Sequence, residues 1–99
     1  MARKPAKEIT GQETRYIESL SKSLYNLKSP KEITAFFREL LTMNEFKNLA
    51  LRWHLLEMLS SGVSQRNIAK ELKISLCKIT RGSKIMKDKK SVTKKLLKK

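Results

Sequence analysis

Residues 64–83, which run Ser-Gln-Arg-Asn-Ile-Ala-Lys-Glu-Leu-Lys-Ile-Ser-Leu-Cys-Lys-Ile-Thr-Arg-Gly-Ser, restrict the fold more than any other stretch of the chain. Ser64 is placed to cap a short helix whose inner face is Ile68, Ala69 and Leu72. A break follows at Lys73 and Ile74, and Ser75 caps a second helix carrying Ile79. Ala69 is small enough for the second helix to cross the first closely, while Ile68, Leu72, Ile74 and Ile79 fill the joint. That is the pattern of a helix-turn-helix; two unrelated short helices laid on a core are the plainer alternative. The turn lacks its usual glycine, so either Lys73 takes the glycine's conformation or the turn differs.

Helix signals precede this segment. Tyr16, Ile17, Leu20, Leu24 and Leu27 recur at helical spacing between about Gly11 and Leu27. Ser29, Pro30 and Glu32 supply a capping hydroxyl, a first-position proline and a third-position glutamate. They predict a helix from Pro30 to about Leu41 that buries Ile33, Phe36, Phe37 and Leu40. Thr42 and Glu45 form a second capping box, which opens a longer helix at Met43. It ends near Ser61, with Gly62 placed for a left-handed conformation. Lys47, His54, Glu57 and Ser61 share its wet side. Arg52 falls opposite, among Leu49, Leu55, Leu56 and Leu59. It either snorkels to water at the edge of that face or lines a binding site. Ser91 can cap a brief last helix, which makes about six in all.

Charge dominates the composition. Twenty-three Lys and Arg against nine Asp and Glu give a net charge of +14, which favours a polyanionic partner, most simply nucleic acid. Three glycines and two prolines leave little turn chemistry for an all-β fold. The single Cys77 and single His54 offer neither an internal disulfide nor zinc-ligand spacing. No long apolar span or signal-peptide pattern is visible. The expectation is a cytoplasmic, metal-free protein without membrane partners. It comprises a flexible basic arm at 1–8, bearing Arg3, Lys4 and Lys7, and one domain over 9–99. The lysine-rich segment 84–99 either stays solvated or serves phosphate contact or subunit docking.

The stretches Leu40-Leu41-Thr42, Ala50-Leu51-Arg52, Ser64-Gln65-Arg66 and Ile79-Thr80-Arg81-Gly82-Ser83 stand in a register that resembles the tryptophan repressor family. The likeness runs from about Ile33 to Lys87. It implies an all-α intertwined homodimer with two helix-turn-helix reading heads, acting on double-stranded operator DNA with L-tryptophan as corepressor. By the same resemblance the indole lies between Arg52 and Arg81, and Arg81 and Thr42 hold the carboxylate. The backbone near Glu39 and Leu41 receives the ammonium group, and Gly82 permits close approach to the ring. Base and phosphate contacts map to Gln65, Arg66, Leu76, Cys77, Lys78 and Thr80, with Lys87 toward the DNA backbone. Cys77 is either a small residue at a thymine methyl or bridging water, or an inert packing residue. Lys78 adds charge at the DNA face. The family has a serine where Ile85 stands, and the turn between Gly62 and Ser64 is one residue shorter here.

The functional expectation is a sequence-specific repressor acting on tryptophan biosynthesis or transport genes. The alternatives are a regulator of the same fold that does not sense tryptophan, and a general basic nucleic-acid-binding protein. Paired carboxylates, a nucleophile–base couple and a phosphate-cradling glycine loop are absent from the sequence pattern, so no enzyme is expected.

Overall fold

The computed structural model describes residues 8–97, which form six helices and no strand. The basic arm expected at 1–8 lies outside the described residues apart from Glu8. The helices are α1 (Gly11–Tyr25), α2 (Pro30–Leu40), α3 (Met43–Ser60), α4 (Gln65–Leu72), α5 (Leu76–Lys87) and α6 (Val92–Leu97).

Each helix begins at a hydroxyl. The N–H groups of Glu13, Glu32, Glu45, Asn67, Lys78 and Lys94 donate to the side-chain oxygens of Thr10, Ser29, Thr42, Ser64, Ser75 and Ser91. Each such bond satisfies one backbone donor that the helix start leaves without a carbonyl partner. At Thr10 and Thr42 the box closes reciprocally, because Glu13 and Glu45 accept from the cap residue's own N–H at 3.0 and 2.9 Å. The Thr10 backbone N–H, and after it the Thr10 hydroxyl, hold the exposed Glu13 carboxyl below its ordinary value. This part of the α1 cap is therefore complete above the usual carboxylate range and is lost as pH falls through the lowered value.

The chain divides into two compact units, Met1–Leu40 and Leu41–Lys99. Within the first unit neither α1 nor α2 buries a residue. Tyr16, Ile17, Tyr25 and Leu40 are exposed, and Ile33, Phe36 and Phe37 only half-buried. The burial expected for Ile33, Phe36, Phe37 and Leu40 is thus not completed within the first unit. An apolar helix stripe needs a second layer to cover it, and two short helices offer too little surface.

The second unit holds the core. Leu55, Met58, Ile68 and Ile79 form its buried cluster, and Leu59, Val63, Ala69, Leu72 and Ile74 pack against it. The C-terminal half of α3 therefore serves as the floor for α4 and α5, while α6 lies against α5 and α3. Gly62 takes the left-handed conformation at φ +86°, and the N–H of Val63 reaches back to the Met58 carbonyl at 3.0 Å. His54 lies on the exposed side of α3 as expected, its Nδ1 3.1 Å from Glu57 Oε1.

The turn between α4 and α5 resolves the question of its missing glycine. Lys73 adopts φ 55° and ψ 43°, the left-handed region that glycine enters at least cost. Its N–H donates to the Ala69 carbonyl at 2.9 Å, closing α4. Lys73→Gly is expected to raise stability by roughly 0.5–1 kcal/mol, because the strain removed exceeds the chain entropy added. A shift of the urea midpoint to higher concentration at unchanged slope reads this, and a fall in the midpoint would contradict it.

Candidate nucleic-acid interface and ligand site

The helix-turn-helix is built as a pair of helix starts on a buried joint. Ile68 and Ile79 are wholly buried, which fixes α4 against α5 and both against Leu55 of α3. The opposite sides of the same helices face water. Gln65 and Arg66 open α4, Leu76, Cys77 and Lys78 open α5, and Thr80 follows one residue after the buried Ile79. All six are exposed. The Thr80 hydroxyl donates to the Leu76 carbonyl at 2.9 Å, which leaves its oxygen lone pairs available as acceptors. Lys87 ends α5, eleven residues after Leu76, about 16 Å along the axis at 1.5 Å per residue. It is therefore separate from the first-turn group.

Electrostatics distinguish this half of the chain. Glu13, Glu32 and Glu45 sit in the first turns of α1, α2 and α3, whereas α4, α5 and α6 carry no acid there. The positive ends of the α4 and α5 dipoles are thus left uncompensated next to Arg66 and Lys78, an arrangement that suits phosphate.

The second helix of the helix-turn-helix, α5, approaches α3 closely. Gly82 is buried, and a Cβ placed on it would meet Leu59 Cδ1 at 3.2 Å, Leu55 Cδ2 at 3.3 Å and Leu56 Cδ2 at 3.4 Å. In the chain itself glycine at this position serves the crossing of α5 over the leucines of α3. Farther toward the turn the two helices leave a narrow cleft, about 10 Å³ in volume, lined by Asn48, Leu51, Arg52, Leu55, Ile74 and Lys78. It is no larger than a water molecule, so an amino-acid-sized ligand must lie over its mouth or part its walls.

Arg52 is exposed at this cleft, directly beside the buried Leu55. Its place on the helical wheel thus corresponds to a lining residue rather than to a core position. Arg81 is exposed on α5 and does not line the cleft, and Ile85 is half-buried one turn farther on. Among the described residues neither Arg52, Lys78 nor Arg81 has an ion-pair partner. Thr42 caps α3, with its hydroxyl oxygen accepting from Glu45 N–H at 3.2 Å and its proton left to donate. It lies ten residues before Arg52, about 15 Å along the helix. Leu41 is half-buried at the opening of the second unit, and Glu39 is exposed near the end of α2 in the first. The sequence reading did not single out Asn48, Leu51 or Ile74 for the cleft. Asn48 carried a usable signal, since it lies four residues before Arg52 on the same helical face.

The family model described as Trp repressor protein matches residues 15–99. The chain belongs to the Trp repressor family. The match takes in five of the helices entire and most of α1. The protein is accordingly a DNA-binding transcriptional regulator of the helix-turn-helix type, and the Trp repressor family is regulatory, not enzymatic. Neither the curated proteins nor the solved structures yield a match to the chain. Among the described residues no helix is long and apolar enough to cross a membrane.

Proposed function

We propose that this member of the Trp repressor family is a homodimeric repressor of tryptophan biosynthesis or transport genes, with L-tryptophan as its corepressor. The observation that carries the reading is the cleft between α3 and the reading helix, lined on one side by Arg52. A planar guanidinium at an apolar margin suits stacking on an indole, worth roughly 0.5–2 kcal/mol per contact. Arg81, on α5 and without an ion pair among the described residues, is the second arginine of the sandwich and takes the carboxylate.

Two features support the second copy. Tyr16, Ile17 and Tyr25 of α1, Leu40 of α2, and Met43, Leu49 and Trp53 along α3 are exposed in the single chain, and the remaining apolar residues of α2 are only half-buried. Thr42, moreover, stands about 15 Å along α3 from Arg52, a span that a small ligand bridges more readily when Thr42 comes from the second copy. The ligand then acts mechanically, tying α5 to the α3 floor so that both reading heads reach successive major grooves about 34–36 Å apart. That spacing is the general one for helix-turn-helix dimers, of which the tryptophan repressor is itself a standard example. Gln65, Arg66, Leu76, Cys77, Lys78 and Thr80 face the operator in this arrangement, with Lys87 toward the backbone.

Calorimetry with L-tryptophan tests the proposal. Heat of binding is expected below millimolar ligand, with affinity falling tenfold or more in Arg81→Ala, and a palindromic footprint should appear on operator DNA only with ligand. A second reading is a regulator of the same fold that binds DNA without tryptophan. The half-buried Ile85, which offers no polar atom to an ammonium group, favours it. No heat at millimolar tryptophan, with the footprint retained, selects that reading.

A further inference from the structure

The turn after α5 gathers charge that neither the helix-turn-helix nor the cleft uses. Eight lysines and one acid, Asp88, fall in residues 84–99, which thus carry half of the net charge of +14. Lys84 and Lys87 sit in the last turn of α5, where a cation offsets the negative end of the helix dipole. Lys89, Lys90, Lys94 and Lys95 lie beyond it, and all four are exposed. With Ser91 and Val92 they line an open concavity of about 440 Å³. One water molecule takes up roughly 30 Å³ of liquid, so phosphate-sized anions can enter it. The backbone beneath is pinned, since Ser91 N–H donates to the Asp88 carbonyl and Lys94 N–H to the Ser91 hydroxyl, each at 3.1 Å. Asp88 is engaged by the same turn, its carboxylate accepting from Lys90 N–H at 2.9 Å. Among the described residues no carboxylate pairs with any of the four lysines. The cations are therefore presented as a set on a folded turn that α6 packs against α5 and α3. Such a set suits a nucleic-acid backbone, which carries one negative charge about every 1.7 Å of duplex axis. A lipid surface attracts cations too, but binding there grows with buried apolar area, and α6 exposes just Val92 and Leu96 as apolar side chains.

We infer that Lys89, Lys90, Lys94 and Lys95 form a second, sequence-independent DNA surface that grips backbone phosphates flanking the half-site on the duplex that the helix-turn-helix reads. The inference rests on the DNA-binding part of the reading above and is independent of tryptophan. Helix α5 supplies the continuity. In that reading its first turn faces the bases and Lys87, about 16 Å farther along, faces the backbone; Lys89 follows two residues on. An operator thereby gains affinity from base pairs outside its palindrome, with no gain in specificity.

The test uses the full chain and a variant combining Lys89→Gln, Lys90→Gln, Lys94→Gln and Lys95→Gln. A control combines Lys22→Gln, Lys28→Gln, Lys31→Gln and Lys47→Gln, which are also exposed and lower the net charge equally. The probe is a duplex that the unmodified protein selects from random sequences, with and without L-tryptophan. It is used trimmed to its protected palindrome, or with about one helical turn of flank on each side. On the flanked duplex the first variant is expected to flatten the salt slope by about two or more per chain, while the control stays within about one of the unmodified protein. On the trimmed duplex all three slopes should agree within about one. Replacing the same four lysines by arginine should keep the slope, which separates lost charge from a disturbed fold. An unchanged slope in the first variant, or an equal loss in the control, overturns the inference. So does lysine-dependent capture of a second duplex by protein already bound to an anchored one, or lysine-dependent binding to phosphatidylglycerol vesicles with the DNA slope unchanged. If selection yields no duplex at all, the DNA-binding reading falls together with the inference.

Discussion

Truncating Ile79 to alanine should lower the stability of the protein by roughly 2–5 kcal/mol and abolish specific DNA binding with it. Ile79 is wholly buried and, among the described residues, shares its buried cluster with Leu55, Met58 and Ile68. Each side of the cluster comes from a different helix, so the lost methyl groups leave a gap that no single element can close. Domains of this size have about 5–15 kcal/mol to lose, which makes the change a large fraction of the whole. Ile79→Val, which keeps the branched shape, should cost about 0.5–1.5 kcal/mol and preserve the joint. Urea denaturation followed by circular dichroism, at one fixed protein concentration, reads both values. A loss below about 1 kcal/mol for the alanine variant would show that the joint is not where the fold is decided.

Affinity for operator DNA should collapse with salt. If each dimer neutralises six to ten phosphates, raising salt from about 50 to 200 mM is expected to weaken binding by roughly 10³–10⁵-fold. The expectation follows from a net charge of +14 and from the acid-free first turns of α4 and α5. Charge also sets the discrimination to be looked for, since phosphate contacts give affinity to every sequence alike. Excess random duplex should therefore compete strongly at low salt and poorly near physiological salt. A loss smaller than tenfold over the same range would mean that few phosphates are contacted and that the positive charge serves another purpose.

Most helix limits could be read from the chain because they depend on neighbours three residues apart. Thr42 with Glu45, Ser64, Ser75 and Ser91 all cap as their spacing predicts. Thr10 with Glu13 carries the same signal and was open to the same reading. The joint was legible too, since Ile68 and Ile79 are placed by helical period and fill the volume beside Ala69. What escaped depends on surfaces and directions. Phe36, Phe37 and Leu40 satisfy the pattern of a buried stripe, but burial needs a partner that helical period does not supply. Arg52 stood out because α3 is long and regular, so its angular position is secure over many turns. Lys78 was read at the DNA face, whereas its place beside the α3–α5 cleft depends on how two helices meet, which a reading of either helix does not supply.

The six hydroxyl caps bear on how the molecule assembles. Each cap bond spans three residues, so it can form without any distant part of the chain being in place. Helix formation of this local kind takes about 0.1–1 μs, far faster than steps that must bring remote segments together. The starts of α4 and α5 can therefore be set before either helix finds α3. The slow event left is the closing of Ile79 onto Leu55, and a nascent chain would carry its reading head already punctuated into that step.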